Sequence, residues 1–399
     1  MLGCDPEFFF ADSKSGKVIG SEKILKKSDK ERCLVIDGVQ AELNPAPSFC
    51  RQLLAGSIQT CFIQLRNALK ARGIDAVVKV DSLVDITQAE LDSLSEGCQV
   101  FGCAPSTNIY SEGENKTSKI KVDAKKYLKR SAGGHIHLGN AFSTYLNQTQ
   151  FPEHGEYAEY VKIAKRIEQA LKKSPDIMIA VLDIVVGNTC VLMDRSEGNK
   201  ERRANYGRAG EYRLKPYGIE YRSLSNFWLR SYQLMSFVTG LCRFAVHCVS
   251  ESTPENDYVK ALFDAVPRKD IVKAINENNF ELALENFKKL EDIFLDAADE
   301  ATGRDYYPIR RSNIKLFNHF VSRIQVSGID YWFPQDPLTH WTNNYNDKGG
   351  WETFSLNTIN DDMCRNPITK LVGKTKKSFI FASKSRDLTI KNSLIVLNT

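Results

Sequence analysis

An α+β fold is the class this sequence predicts, on three observations. "CDPEFFF" and "CLVIDGVQAELNP" are strand-like, and the second is broken by Asp37-Gly38, a two-residue hairpin signal that makes its halves antiparallel. The stretch "FCRQLLAGSIQTCFIQLRNALKAR" carries apolar residues at helical spacing, with Ser48 as its cap and Gly73 as its stop. The alternation of strands and helices then continues along the chain.

Each later element follows the same reading. "DAVVKV" is a strand, and "TQAELDSL" a short helix opened by Thr87 with Glu90 three residues on. "SAGGHIHLG" is a loop entering a strand. A helix is expected at about 157–173, and "PDIMIAVLDIVVGNTCVLMD" is apolar and helical in its first half. "RSEGNKERRANYGRAGEYRLKPYGIEYRSLSNFW", dense in Arg, Gly and Tyr, reads as a glycine-rich active-site loop running into a strand at "GIEYRSL". "SYQLMSFVTGLCRFAVHCV" is a buried helix beneath it. The character changes near residue 251, so the expected organisation is a body over 1–250, an amphipathic helical segment over 251–304 and a C-terminal extension over 305–399.

Composition bounds the function without naming it. The chain has 399 residues, 42% apolar and 26% charged, which excludes disorder and coiled coil. A net charge of +5 from 54 basic and 49 acidic residues is far from the imbalance of a nucleic-acid or membrane-surface binder. Residues 1–20 lack a signal-peptide pattern and no run is apolar enough to span a membrane, so a soluble cytoplasmic protein is expected. The ten cysteines show no CxxC pair or framework spacing, and reduced thiols are the expectation. The basic run from Lys119 to Arg130 reads first as a solvated face and second as an attractor of an acidic substrate.

The chemistry lies in four strand-like pieces carrying Asp5 and Glu7, Glu42, His135 and His137, and Glu220 with Arg222. Residues i and i+2 of a strand share a face, so each pair can point into one cavity. Any one of these taken alone is ordinary: a strand carboxylate is usually solvated, and Glu220/Arg222 could be a surface ion pair worth little. Together, carboxylates with an imidazole suit Mg²⁺ or Mn²⁺. Arg202, Arg203, Arg208, Arg213 and Arg222 cluster nearby, and guanidinium suits bidentate phosphate binding. Metal plus arginine fits phosphoryl transfer, and no GxxxxGK[ST] is present to hold ATP by a P-loop.

In these motifs the sequence resembles the glutamine synthetase-like carboxylate-amine ligases, most closely the phage branch of COOH-NH2 ligases, type 2. "GCDPEFFF", "GGHIHLG" and "GIEYRSLSN" are similar to three strand motifs of glutamine synthetases, in the same order, over roughly residues 1–250. The resemblance implies a glutamine synthetase-like catalytic domain with a largely antiparallel curved sheet and packed helices, followed by an extension. It implies ATP and Mg²⁺ or Mn²⁺ as cofactors. Glu7 would be a shared metal ligand, Glu42 a ligand of the first ion, and His135 with Glu220 ligands of the second. Arg222 would sit on the ATP γ-phosphate. Arg208 and Arg213, with Arg203 as the substitute for either, would hold phosphate and acyl phosphate, and His137 would be a supporting or substrate group. Asp5 departs from the family's Glu, which leaves its ligand role open.

The activity implied is ATP-dependent formation of an amide through an acyl phosphate. Its acid and amine are unidentified, with a peptide, a cell-wall fragment or a modified nucleic acid as candidate partners, no membrane partner, an oligomer allowed, and phage-infected host cytoplasm as the location. The competing readings are a guanidino-kinase-like phosphotransferase, a metal-dependent hydrolase, and a non-catalytic phage structural or binding protein.

Overall fold

The computed structural model describes residues 1–301 except 27–32, 49–50, 103–104, 113–116, 119–121, 140–157, 173, 195, 251, 253, 255 and 256, together with 334, 336–342, 370–375 and 378–382. It is α+β: a ten-stranded antiparallel sheet lies against a layer of helices. The central strand β1 (Leu2–Asp12) pairs with different neighbours along its length. Residues 2–6 pair with β10 (Gly134–Gly139), residues 7–8 with β4 (Gln40–Leu43), and residues 9–12 with β2 (Val18–Ile19) and β5 (Ala76–Lys79). The order across the sheet is β3 (Leu34–Asp37), β4 (Gln40–Leu43), β1, β10 (Gly134–Gly139), β12 (Gly218–Tyr221), β11 (Glu211–Lys215), β7 (Ser106–Asn108) and β8 (Thr117–Ser118). A small separate pair is β6 (Leu83–Asp85) with β9 (Lys129–Ser131).

The β3–β4 hairpin turns on Gly38 and Val39, one residue later than the Asp37-Gly38 signal suggests, because Asp37 pairs with Gln40 and remains in the ladder. Gly38 supplies the positive φ of +64° that the tight turn needs. Phe8 and Phe10 point into the main core while Phe9 enters a second cluster with Val39, Val84 and Ile86, so β1 is covered on both faces. That explains why its aromatic run shows no alternation.

Helix α1 (Arg51–Arg72) lays Leu54, Ile58, Phe62, Leu65 and Leu69 on the apolar sheet face, at the three- and four-residue spacing of one stripe. It ends at Gly73, φ +62°. The expected start falls on 49–50, outside the described residues, and Ser48 itself bridges Leu2 through backbone hydrogen bonds. Helix α2 (Gln88–Asp92) carries the full capping box of Thr87 and Glu90. Helices α3 (Ala158–Lys172) and α4 (Pro175–Leu182) follow, and α4 continues through a π-turn (Asp183–Gly187) into α5 (Asn188–Val191). The apolar segment is therefore helical beyond its first half.

The Arg/Gly/Tyr-rich stretch is not one loop: it contains helix α6 (Asn199–Asn205) and strand β11. Arg202 and Arg203 are buried within α6, so the charge that suggests a solvated loop is turned inward. Helix α7 (Tyr232–Ser250) is buried as expected, and α8 (Tyr258–Ala265), α9 (Arg268–Asn276) and α10 (Phe280–Ala301) pack around it and the π-turn. Of the region after 305, helix α11 (Pro337–Thr342) docks Trp341 into the core, stacked on Phe62 at 5.8 Å between ring centres. A hairpin of β13 (Lys370–Thr375) and β14 (Ser378–Ala382) is also described.

Cys33 and Cys61 are paired as a disulfide, Cα atoms 5.9 Å apart, which corrects the expectation of reduced thiols throughout. The spacing rules gave no hint because the partners come from the turn before β3 and from helix α1, which only the fold brings together. Cys4, Cys98, Cys190, Cys242 and Cys248 are free and buried.

Candidate active site

Register decides what gathers on the face of the sheet away from α1. Asp5 lies opposite His135, and Glu7 opposite Glu42. His137 lies opposite Glu220, which in turn faces Arg213. Every one of these residues is two positions from another on its strand or directly across from one, so the pleat brings them to one side. Asp5, Glu7, Glu42, His135, His137, Glu220 and Arg213 thus share one face, as the i, i+2 argument requires. Asp37, two positions beyond Val35, which faces Glu42, joins them.

Two clusters form there. In one, oxygens of Glu7, Asp37 and Glu42 lie within 4.8 Å of each other. In the other, donor atoms of Asp5, His135 and Glu220 do the same. Nδ1 of His135 is 3.0 Å from Asp5 Oδ1 and 3.7 Å from Glu220 Oε1. His137 Nε2 is 3.0 Å from the other oxygen of Asp5, and its Nδ1 is 2.6 Å from the hydroxyl of Tyr217. The backbone N–H of Gly133 donates to Glu7 Oε2 at 2.7 Å.

The electrostatics differ between the ends of this face. Burial, then Asp37, pushes Glu7 up to about 8; burial, then Asp5 and Glu7, pushes Glu42 up to about 9; burial, then Asp5, pushes Asp37 up to about 6. Carboxylates this close and this sheltered cannot all be ionised without a cation among them. A hard divalent ion is what an all-oxygen set of this kind fits. Burial, then Arg222, holds the His135 imidazolium down at about 4, so the ring is neutral and able to ligate at neutral pH.

Toward β12 and β11 the balance reverses. Burial works against ionisation of Glu220, yet His135 and Arg222 outweigh it and hold its carboxyl at about 2. Lys215 Nζ is 2.7 Å from Glu220 Oε2, Arg213 Nη1 is 3.6 Å from Oε1, and Arg222 contacts Oε1 directly. Several cations therefore converge on one carboxylate, leaving positive charge for an anionic group beside an acidic patch.

The structure does not bring Arg203 or Arg208 to these clusters. Arg203 donates to Ile275 O at 2.6 Å and Asn278 Oδ1 at 2.9 Å, fastening α6 to α9. Arg208 is exposed and turns back on the carbonyls of Arg203 and Ala204 at the end of α6. Sequence reasoning passed over Asp37, read there only as a turn residue, and Lys215 and Tyr217 at the tip of the β11–β12 hairpin. It also missed Tyr206, which donates to Glu7 Oε1 at 3.2 Å and contacts His135 Nε2. The Glu7–Glu42 antiparallel pairing was the available signal for Asp37. Nothing in the spacing of Tyr206 pointed to it.

Residues 170–295 match the family model described as Phage phiEco32-like COOH.NH2 ligase-type 2. The match supports the resemblance to this phage ligase family and suggests an enzyme of the carboxylate-amine ligase type. It spans α6, β11, Glu220 and Arg222, but not the strands that carry Asp5, Glu7, Glu42 and His135. None of the curated proteins compared with the chain matches it. No single helix among the described residues is long and apolar enough to cross a membrane.

Proposed function

We propose that the protein is an ATP-dependent carboxylate-amine ligase whose glutamine synthetase-like catalytic body spans about 1–250, with the helices of 251–304 packed on it. The observation that carries this reading is the polarised sheet face: two donor clusters suited to divalent cations, Glu7/Asp37/Glu42 and Asp5/His135/Glu220, lie beside the cations of Arg213, Lys215 and Arg222. Such a face can hold a polyphosphate and screen the charge that moves during its cleavage.

In the proposed reaction, an oxygen of the acid attacks the γ-phosphorus of ATP and ADP departs. The amine nitrogen then attacks the carbonyl carbon of the acyl phosphate, inorganic phosphate leaves with the former carboxylate oxygen, and the amine gives up a proton. Activation is needed because a carboxylate does not react with amines at neutral pH. Divalent ions supply neutralisation of phosphate charge when bound. Glu7, Asp37 and Glu42 would hold one and Asp5, His135 and Glu220 the other. Arg222, buried and fixed by Glu220, offers a rigid guanidinium to the transferring group.

The test is ADP release by the purified protein with ATP and Mg²⁺ or Mn²⁺, against pooled carboxylates and pooled amines. ADP should appear only when both pools are present, and Glu7→Gln should be silent. Release with carboxylates alone would replace the ligase reading with a kinase, and turnover without ATP would replace it with a hydrolase.

A further inference from the structure

The two clusters are joined by one side chain. Tyr206, 3% exposed, sends its hydroxyl between them, donating to Glu7 Oε1 at 3.2 Å and meeting His135 Nε2. Its ring stands edge-on to the imidazole, and the guanidinium groups of Arg202 and Arg222 lie over it at 5.5 and 5.2 Å. The following Gly207, φ +75°, lets the chain turn away at once beside Arg202, so the ring is clamped from several sides. Backbone makes room as well: a Cβ on Gly133 would lie 2.5 Å from His135 Nε2 and 2.7 Å from the Tyr206 oxygen.

The proton count gives this bridge a direction. A hydroxyl has one proton to donate, and with a cation held at both clusters Glu7 is an ionised carboxylate that can only accept it. The oxygen of Tyr206 then accepts from His135, which places the imidazole proton on Nε2 and a lone pair on Nδ1. That lone pair faces Asp5 Oδ1 at 3.0 Å and Glu220 Oε1 at 3.7 Å, an arrangement satisfied by a cation between them. Metal-ligating histidines commonly have the second nitrogen held in this way, and loss of such a partner costs about 10- to 100-fold in metal affinity.

We propose that Tyr206 is a positioning residue that links the two cation clusters, holding His135 in its metal-binding tautomer while anchoring Glu7, so that binding at one cluster depends on the integrity of the other. The inference rests on the cation-binding part of the proposed function and not on the identity of the acid or amine.

The experiment is Mn²⁺ titration of the full chain by calorimetry and electron paramagnetic resonance, where coupling to an imidazole nitrogen marks the ion at His135. Tyr206→Phe keeps the ring and removes the hydroxyl; it should weaken that ion about 10- to 100-fold and alter the nitrogen coupling. Glu7→Gln and the double variant complete a cycle, in which the two effects on the imidazole-coordinated ion should be non-additive. Unchanged affinity in Tyr206→Phe, or strictly additive effects in the cycle, overturns the link while leaving the metal reading in place. Absence of any imidazole-coupled Mn²⁺ in the wild type overturns both.

Discussion

Burial and mutual repulsion forbid three charges together on Glu7, Asp37 and Glu42: Glu7 and Glu42, pushed up to about 8 and about 9, hold protons at neutral pH, and Asp37, pushed up to about 6, holds its own on the acid side of neutrality. Unfolded, the same groups ionise near pH 4. At these three groups the native state therefore binds more protons than the unfolded chain between about pH 4 and 9, and their contribution to the stability of the metal-free protein falls as pH rises through that window. Below pH 4 both states are protonated and the difference vanishes. A divalent ion replaces the protons and removes the penalty. Melting curves of the chelated protein should thus show Tm decreasing from pH 5 to pH 9, with Mn²⁺ raising Tm more at pH 8.5 than at pH 5.5. Asp37→Asn should raise Tm of the chelated protein at pH 8.5 and diminish the Mn²⁺ effect. A flat pH profile without metal would mean that neither burial nor mutual repulsion holds protons on these carboxylates.

Asp183 shows how one element aims another. It opens the π-turn between α4 and α5, is fully buried, and accepts from the hydroxyls of Tyr221 at 2.7 Å and Ser223 at 3.4 Å, the residues on either side of Arg222. Burial pushes its carboxyl up to about 7. Asp183→Ala leaves the Tyr221 hydroxyl without this acceptor and should cost about 1–3 kcal/mol, measured as a lower urea midpoint at unchanged slope. Asp183→Asn keeps an acceptor without a titratable proton, so its stability relative to wild type should improve as pH rises from about 4 to 7. A full-size loss in both variants would argue that charge, and not hydrogen bonding, is what the turn uses. The π-turn was not readable beforehand, because an apolar run with one Asp has no period that distinguishes it from an α-helix. The i, i+2 pairs on β1, β10 and β12 were readable, since pleating alone dictates them. Helix α6 was hidden by its own arginines: sequence patterns treat charge as solvent-facing, whereas Arg202 donates to Ser223 O at 3.0 Å inside the protein.

Across the whole molecule, the C-terminal region is tied to the face that carries the clusters through a short relay. Trp341 of α11 is fully buried, stacks on Phe62 of α1, and donates from Nε1 to Leu229 O at 2.6 Å. Leu229 belongs to the 3-10 turn of Asn226–Arg230, and from that turn Asn226 donates to the carbonyl of Glu7 at 2.9 Å while Trp228 donates to Gly134 O at 3.1 Å. The same turn thus fixes β1 and β10 at the point where Glu7 and His135 project. None of this could be read in the sequence after 305, where Trp341 is one of three tryptophans in an aromatic stretch and has no partner until the fold supplies one. Trp341→Ala opens a cavity against Phe62 and leaves a core carbonyl without its donor, and should cost about 3–5 kcal/mol by chemical denaturation. Because the relay ends on backbone atoms of the site strands, the variant should also bind Mn²⁺ more weakly than the wild type, so that its loss of stability is larger at saturating Mn²⁺ than in the chelated protein. A destabilisation no larger with Mn²⁺ than without it would show that α11 braces the core alone, without a hold on the strands that carry the clusters.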